Sequence, residues 1–344
     1  MGLTFSAISQ ERSAELITFL SSAFGMKDTP PNLSPEVLVW KYFAPHPWWP
    51  TGRGYFLETD NGIAAHGCMA PVRFAEGSAV LESMVVIDWA SGKLVPGAGV
   101  LLCRRAMETL HSSMLAIGGS PDALSIFPQV RWFVPRAEMK WYAKSLRPWQ
   151  RFLKSGRRLR DGLKFVRNTH RGFFPPLPAP GKWTCRRARR GDPVFTSAGD
   201  FIPILRTREW IDYLSGCPAA RCALWILEHE GVPCGHALIA NLGGSARVAD
   251  FALGAKPTRD AVKAAFSALV RAVAADSDAI ELVAASSLAE DIEAFEACGL
   301  QYRRCFPVLL ADLARAFPPN SALEIKPILG DAFYLYNPAN PFQL

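Results

Sequence analysis

The stretch KLVPGAGVLLCRRAM, from Lys93 to Met107, places two glycines directly ahead of a helical pattern. Gly97 and Gly99 carry no Cβ, so the backbone there can adopt positive φ angles and approach a ligand closely. The first turn of a helix also presents N–H groups without partners and the positive end of the helix dipole. Together these features suit an anion such as a pyrophosphate. The sequence therefore predicts a phosphate-binding turn at this point.

Three strand patterns lead into this turn, and turn residues at 60–62 and 76–78 separate them. Such an arrangement predicts an antiparallel meander. The three strands are expected over GYFLET at 54–59, IAAHGCMAPVRF at 63–74 and AVLESMVVIDWA at 79–90. The remaining elements expected in this half are helices at 13–24, 34–42, 98–110 and 121–130, and strands at 113–120 and 138–146.

The second half of the chain repeats this order. Strand patterns at 223–230, 235–241 and 246–253 are followed by a helical pattern over Arg259 to Asp276. A strand at 279–286, a helix at 289–298 and a strand at 302–310 come next. An internal duplication accounts for the length. We therefore predict one domain at 1–147, a basic, proline-rich linker at 148–182 and a second domain at 183–344.

Composition indicates a folded globular protein. The 344 residues are 49% hydrophobic and 20% charged, which is typical of a chain with a sizeable core. No apolar run approaches the length of a membrane span, and the N-terminus lacks the pattern of a secretory signal. Eight cysteines without C-x-x-C spacing suggest reduced thiols. We expect a cytoplasmic protein.

The net charge of +7 is concentrated between Arg147 and Arg190. Apolar and basic residues at helical spacing over 149–167 are typical of a helix on an anionic membrane surface, here the inner face, or of a linker helix packed on its own domains. Nucleic acid is not an expected partner, because the sequence contains no recognisable reading module.

The glycine turn and its surroundings resemble the GNAT acyltransferases. In that family the fourth strand leads into Arg/Gln-x-x-Gly-x-Gly/Ala, and Leu94 to Gly99 matches both glycines, with Leu94 at the leading position. The stretch IGGSPDALSIFPQVRW resembles the family's fifth strand and the helix after it. Two copies in tandem resemble the Fem-type and mycothiol-synthase-type arrangements. The resemblance implies an α+β fold of two GNAT-like domains, each with a mixed, mostly antiparallel sheet flanked by helices.

The resemblance also implies which residues hold an acyl-CoA. Strand residues between Met84 and Asp88 would bind the pantetheine arm, and the turn and following helix would bind the pyrophosphate. The residues carried over are Val86, Ile87, Val95, Gly97, Ala98, Gly99, Val100, Arg104 and Ser120. In the second copy Gly254 stands alone where the first has two glycines, so we expect that copy to be degenerate.

Direct transfer of the acyl group to an amine needs a base and a donor for the thiolate. Strand alternation predicts that Glu82, Met84, Val86 and Asp88 share one face, so Glu82 and then Asp88 are the candidate bases. The position that donates in the family is Phe127, which has no hydroxyl. Tyr142 on the next strand is the candidate substitute, with a packing role as the alternative.

The function expected from the resemblance is transfer of an acetyl or other acyl group from acyl-CoA to a primary amine of a small molecule or amino sugar, with no metal. A non-catalytic binding protein of the same fold and a Fem-like aminoacyl transferase are the alternatives. A zinc site among Cys217, Cys222, His229, Cys234 and His236 is a further possibility, but their spacing matches no common pattern.

Overall fold

The first half of the chain builds four antiparallel strands, a long helix and two further strands. The structure is a computed structural model that describes residues 2–26, 31–49, 51–154, 165–166, 169–170, 176–276 and 278–335. The strands of this half are β1 Thr4–Ala7, β2 Gly54–Thr59, β3 Gly62–Glu76, β4 Ala79–Ser91, β5 Ser113–Ile117 and β6 Val134–Ser145. Its helices are α1 Ser13–Ala23, α2 Pro35–Leu38, α3 Ala98–Leu110, α4 Pro121–Ile126 and α5 Pro148–Lys154.

The second half follows the same order. Its strands are β7 Trp183–Arg187, β8 Arg221–His229, β9 Val232–Leu242, β10 Ser245–Leu253, β11 Glu281–Ser286 and β12 Gln301–Ala311. Its helices are α6 Arg208–Ser215, α7 Arg259–Asp276 and α8 Ala289–Ala297. The long helix of each half, α3 and α7, starts and ends where the sequence predicts.

The described strands form one continuous sheet in the order β1-β2-β3-β4-β5-β12-β6-β11-β10-β9-β8-β7. The last strand of the second half, β12, lies between β5 and β6 of the first and pairs antiparallel with both. In turn β6 pairs with β11 of the second half. The two halves therefore interlock at the centre of a mixed sheet flanked by helices, and the predicted α+β class is confirmed.

The sheet contains two parallel pairings, and both of them are short. Strands β4 and β5 pair only over Ser83–Val85 and Ser113–Leu115 and then diverge. Strands β10 and β11 pair over Ser245–Val248 and Glu281–Ala284. Beyond its short pairing β5 ends, and the N–H of Gly118 donates to Pro307 O on β12 at 2.9 Å. A gap is thus left beside the second part of β4.

A β-bulge in β4 reverses the side-chain alternation at this gap. Ile87 pairs with Cys68, whereas Ala90 pairs with His66, so two residues of β4 oppose one of β3. Asp88 takes a positive φ of 49° there. The prediction that Asp88 shares a face with Met84 and Val86 is therefore wrong, because the bulge moves its carboxylate to the opposite face.

Three apolar clusters fill the space around the sheet. One lies under α3, one lies under α7 and α8, and the largest covers the opposite face of the centre and contains residues from both halves. The helix expected at 34–42 is the short α2 continued by a π-helical turn at Val39–Phe43. Of the basic helix expected at 149–167, α5 is described, and residues 155–164 lie outside the described residues. None of the described helices is long and apolar enough to cross a membrane.

Candidate active site

A cavity of about 540 Å³ occupies the gap between β4 and β5. Its walls come from β4, from the turn between β5 and α4, and from residues of the second half. The lining residues that matter below are Val86, Ile87, Asp88, Trp89, Ser120, Phe127, Arg247, Arg304 and Asp331. The site is therefore assembled from both halves of the chain.

The cavity connects the two faces of the sheet. Val86, Trp89 and Phe127 belong to the apolar cluster under α3. Trp141 and Phe306 belong to the cluster on the other face, and both line the same cavity. A molecule entering on the α3 side could therefore reach through the gap to meet one that enters on the other side.

The predicted phosphate turn lies beside this cavity and is open. Gly97 is the N-cap of α3, has a φ of 75°, and a Cβ there would meet no atom within 4 Å. Trp89 Nε1 donates to Gly99 O at 2.9 Å, and the indole stacks on Phe127 with ring centroids 5.2 Å apart. Trp89 therefore connects the turn to the cavity wall. Leu94, in the position of the family's Arg or Gln, is exposed.

Asp88 lies in a buried polar network. Tyr42 O–H donates to Asp88 Oδ2 at 2.5 Å, and the Lys41 ammonium forms an ion pair with the same oxygen. Burial alone would favour the neutral acid, but the charge of Lys41 and the hydrogen bonds from Lys41 and Tyr42 hold the pKa of Asp88 below its ordinary value. Asp88 is therefore ionised, and its carboxylate is already bound by Lys41 and Tyr42.

His66 completes this network as a neutral ring. Its Nδ1 is 3.0 Å from Tyr55 O, and since a carbonyl only accepts, Nδ1 carries the proton. Its Nε2 lies 3.0 Å from the Tyr42 hydroxyl. Burial lowers the pKa of His66 to about 4, despite the charge of Asp88. The Tyr42 hydroxyl thus donates its one proton to the Asp88 carboxylate and has the His66 ring nitrogen as its second neighbour.

Asp331 is a second carboxyl group in the cavity. It follows β12 by twenty residues, and its backbone O accepts from the N–H groups of Tyr334 and Leu335 at 3.0 and 2.9 Å. Burial, followed by the charge of Asp88, raises the pKa of Asp331 to about 7, against the opposing effect of Lys41. A carboxyl group that is half ionised at neutral pH and reachable from a cavity is able to exchange protons there.

Two arginines line the cavity on the face away from α3. Arg247, on β10, is 3% exposed and donates through Nη1 to Ala332 O at 2.6 Å and to Leu335 O. Arg304, on β12, lies with its Cζ 4.5 Å from the centroid of the Phe306 ring. Among the described residues, neither Arg247 Nε nor Arg304 Nε has a hydrogen-bond partner although both atoms are buried.

The residues predicted from the sequence fall into three groups, two of which lie in the cavity wall or beside it. Val86, Ile87, Asp88 and Ser120 line the cavity, and Ser120 caps α4 by accepting from Ala123 N–H at 3.2 Å. The residues of the turn, Val95, Ala98 and Val100 with the two glycines, lie at the start of α3 next to Trp89.

Three other predicted residues lie away from the cavity wall. Glu82 is 65% exposed and paired with Arg73 at 2.6 Å. Tyr142 is buried in the cluster under α7 and donates to Glu296 Oε1 at 2.8 Å. Arg104 is exposed and paired with Glu108 at 2.8 Å. The structure brings none of the three next to Asp88.

The comparisons with known proteins find structural relatives only. No family model and no curated protein matches the sequence. A conserved Enterococcus faecalis protein described as a probable N-acyltransferase matches with a TM-score of 0.55 and 10% identity, over 90% of this chain and 72% of that chain. A GCN5-related N-acetyltransferase from Anabaena variabilis matches with a TM-score of 0.56, 10% identity and the same coverage.

Saccharomyces cerevisiae N-myristoyltransferase with bound myristoyl-CoA matches with a TM-score of 0.57 and 12% identity, over 94% of this chain and 87% of that chain. The chain has a GNAT fold. At identities this low, the structural similarity establishes the fold alone. The chemistry depends on the residues that this chain places in the gap of the sheet.

The GNAT fold of the second half contains a matching polar network but little space. His236 on β9 and Asp250 beside a bulge in β10 are 3.0 Å apart, as counterparts of His66 and Asp88. Arg206 pairs with Asp250 at 2.7 Å and with Glu324 at 2.8 Å, all fully buried. The cavity beside Phe251 there is about 20 Å³, room for one water molecule.

The segment around Glu324 accounts for this difference. Ile325 N–H donates to Ser287 Oγ at 2.9 Å and Ile325 O accepts from Ser287 N–H at 3.0 Å, directly after β11. The chain therefore fills the opening that the first half leaves empty. This closure supports the prediction that the second GNAT-like unit is degenerate.

Several site residues are absent from the sequence prediction. Arg247, Arg304 and Asp331 line the cavity, and Lys41 and Tyr42 contact Asp88. These five residues come from elements that are distant along the chain. A usable signal exists for Arg247, a lone cation in the apolar strand pattern ARVADFAL. The predicted zinc alternative has no support in the described residues, which contain no group of three His, Cys, Asp or Glu side chains placed to hold a metal.

Proposed function

We propose that this protein is an acyl-CoA-dependent N-acyltransferase, with acetyl-CoA as the first donor to test and a primary amine as acceptor. The observation that carries the proposal is the cavity that passes between β4 and β5 beside the open turn at Gly97. The thioester enters from the α3 side and the amine from the opposite side. The reacting atoms meet within the gap.

The turn and the gap suit the parts of an acyl-CoA. The N–H groups in the first turn of α3, a helix of 13 residues, and the open space at Gly97 fit a pyrophosphate. The divergence of β4 leaves strand groups free to bind an extended pantetheine arm. The bulge at Asp88 takes main-chain groups out of the ladder, so that a backbone N–H there can polarise the thioester carbonyl.

The reaction is a direct displacement at the thioester carbon. The amine nitrogen forms the new C–N bond, the C–S bond breaks, and its electron pair leaves on sulfur. An acceptor that arrives as an ammonium ion releases two protons in forming the amide. One proton ends on the CoA thiol and the other passes to solvent.

Asp331 is the proposed base. It lines the cavity, and its pKa of about 7 makes it a proton acceptor near neutral pH. Asp88 is a poorer candidate, because Lys41 and Tyr42 already stabilise its ionised form. Asp88 and Lys41 instead form a buried ion pair beside Asp331, and their charges influence its pKa.

The leaving thiolate needs a proton, and Phe127 has no hydroxyl to supply it. Ser120 lines the cavity, and its oxygen accepts from Ala123 N–H, so its own hydrogen is available to donate. The protonated form of Asp331 is the second available donor. Either route returns one of the two acceptor protons to the thiol.

Isothermal titration with CoA, acetyl-CoA and longer acyl-CoAs tests the proposal, together with a thiol-release assay over a panel of amines. We expect binding of acyl-CoA and amine-dependent release of CoA. Binding without release across the whole panel indicates a non-catalytic protein of the same fold. Absence of binding by the folded protein to every acyl-CoA overturns the proposal.

A further inference from the structure

Arg247 and Arg304 form a cationic wall of the cavity, and some of their N–H groups have no hydrogen-bond acceptor in the described residues. Arg247 is almost fully buried, and burial together with the charge of Arg304 lowers its pKa to about 10. The other acid near Arg247, Glu281, is ion-paired with Arg151. In the part of the chain that the structure covers, the buried Nε atoms of both arginines have no hydrogen-bond partner.

Buried donors without partners are rare in folded proteins, and each costs free energy. Both guanidinium groups line the cavity, so a ligand with anionic oxygens that occupies it can accept hydrogen bonds from their N–H groups. Guanidinium groups bind planar carboxylates through paired hydrogen bonds. The two arginines therefore form an anion site inside a cavity, which a solvated basic surface does not provide.

This anion site does not face the proposed phosphate turn. Arg304 pairs across the ladder with Trp141, and Trp141 and Phe306 belong to the apolar cluster on the face of the sheet away from α3. Gly97 lies on the α3 side. The arginines consequently serve the molecule that enters opposite the acyl-CoA.

Charge balance restricts the identity of that molecule. With Asp331 ionised, the two arginines and this carboxylate leave one uncompensated positive charge in the cavity, since Asp88 is balanced by Lys41. An amine acceptor with a carboxylate can pair that carboxylate with the two guanidinium groups while its ammonium pairs with Asp331, so that each charged group of the acceptor meets an opposite charge. A phosphate monoester would also meet the two guanidinium groups, so a phosphate-bearing amine is the competing acceptor that the test includes.

We propose that the acyl acceptor is a small amino acid or other aminocarboxylate, whose carboxylate binds Arg247 and Arg304 while its amino group faces Asp331. This assignment rests on the proposed acyl transfer. It goes beyond that proposal because it names the acceptor's class and the residues of the second half that recognise it.

Matched pairs of acceptors test the assignment. Each proteinogenic amino acid is compared with its decarboxylated amine and its methyl ester, with phosphoethanolamine added as the phosphate-bearing probe. We expect kcat/KM to favour the carboxylate member of at least one pair by about 10- to 100-fold, the range for one or two charge-assisted hydrogen bonds. Equal rates within every pair, or preference for phosphoethanolamine, overturn it.

Arg304→Gln and Arg304→Lys assign the effect to the site. Arg304 is chosen because Arg247 also holds the backbone at Ala332 and Leu335. We expect the Gln variant to raise KM for the aminocarboxylate by about 10-fold or more and to abolish the preference over the amine, with partial rescue by Lys. Arg221→Gln, at an exposed arginine paired with Asp278, is the control and should keep the preference.

Titration of the preferred amino acid separates this inference from the proposed function. Binding of the amino acid that is weakened by Arg304→Gln supports the anion site even if no CoA is released. If acyl-CoA binds and the amines react while Arg304→Gln leaves the preference unchanged, the inference fails and the acyltransferase proposal stands. Acyl-CoA affinity and thermal melting report whether each variant is folded.

Discussion

Asp331 and Asp88 face the same cavity, and burial together with the charge of Asp88 raises the pKa of Asp331 to about 7. The Lys41 ammonium acts in the opposite direction on Asp88 and keeps it ionised. Two carboxyl groups with separated pKa values can take different roles. One holds a fixed charge, and the other accepts and returns a proton.

The pH dependence of acyl transfer is the first prediction. We expect kcat/KM to rise between about pH 6 and pH 8 as Asp331 loses its proton, well below the ionisation of an alkylamine. The charged groups that face Asp331 are Asp88, Lys41 and Arg247. The pKa of Asp88 is held below its ordinary value and that of Arg247 is about 10, so neither of these two changes its charge in that interval. Steady-state thiol release from pH 5.5 to 9.5 measures the profile.

Asp331→Asn provides the control for that profile. We expect it to lower the rate by roughly 100-fold or more and to remove the rise near pH 7. Asp60→Asn, in the exposed turn between β2 and β3, should leave both unchanged. A profile that keeps its inflection near pH 7 in Asp331→Asn would assign the proton transfer to another group.

Stability against pH is the second prediction. The ordinary pKa of an aspartate is 3.8 and that of folded Asp331 is about 7, so the folded state holds this proton more tightly than the unfolded state. Wild type therefore loses stability relative to Asp331→Asn as pH rises from about 4 to 7. Paired thermal melts should show a difference in Tm that favours the variant at pH 8 and shrinks toward pH 4. A constant difference would mean that Asp331 titrates normally.

The buried network gives the third prediction. Asp88→Asn leaves the Lys41 ammonium buried beside a neutral amide, so we expect a loss of about 3–5 kcal/mol in the free energy of unfolding. Tyr42→Phe removes the hydroxyl that donates to Asp88 and contacts His66 Nε2, with an expected loss of about 1–3 kcal/mol. Urea unfolding measures both.

Glu82→Gln is the matched comparison on the same strand. Its exposed pair with Arg73 contributes less than about 1 kcal/mol, so stability should change little. Because Glu82 lies away from the cavity, thiol release should persist in this variant. Loss of turnover in Glu82→Gln, with Asp331→Asn active, would restore the sequence-based choice of base.

The sequence predicts the helix after the glycine turn because the information is local. Gly97 with its positive φ and the apolar spacing after Ala98 define the start of α3 within one turn. The bulge at Asp88 is different. The pattern continues through MVVIDWA without interruption, and only pairing with β3 shows that two residues oppose one.

The position of β12 is likewise non-local. Its apolar pattern predicts a strand, but insertion between β5 and β6 depends on which edges remain open after both halves form. Asp331 follows that strand in a segment without a regular period, so nothing in its neighbours marks it as facing Asp88. The same applies to Arg304, whose partner strand lies more than 150 residues earlier.

The open glycine turn gives the last prediction. Gly97 and Gly77 have φ values of 75° and 58°, and a Cβ at either would meet no atom within 4 Å. Alanine at each position therefore adds similar backbone strain, of roughly 1 kcal/mol, without a clash. Only Gly97 lies at the start of α3, where the added methyl would occupy the space proposed for a pyrophosphate. We expect Gly97→Ala to weaken acyl-CoA binding by about 10-fold in isothermal titration and Gly77→Ala to leave it unchanged. If the two variants bind acyl-CoA with equal affinity and lose equal Tm, backbone strain alone accounts for both effects. That result would show that the phosphates do not bind at this turn.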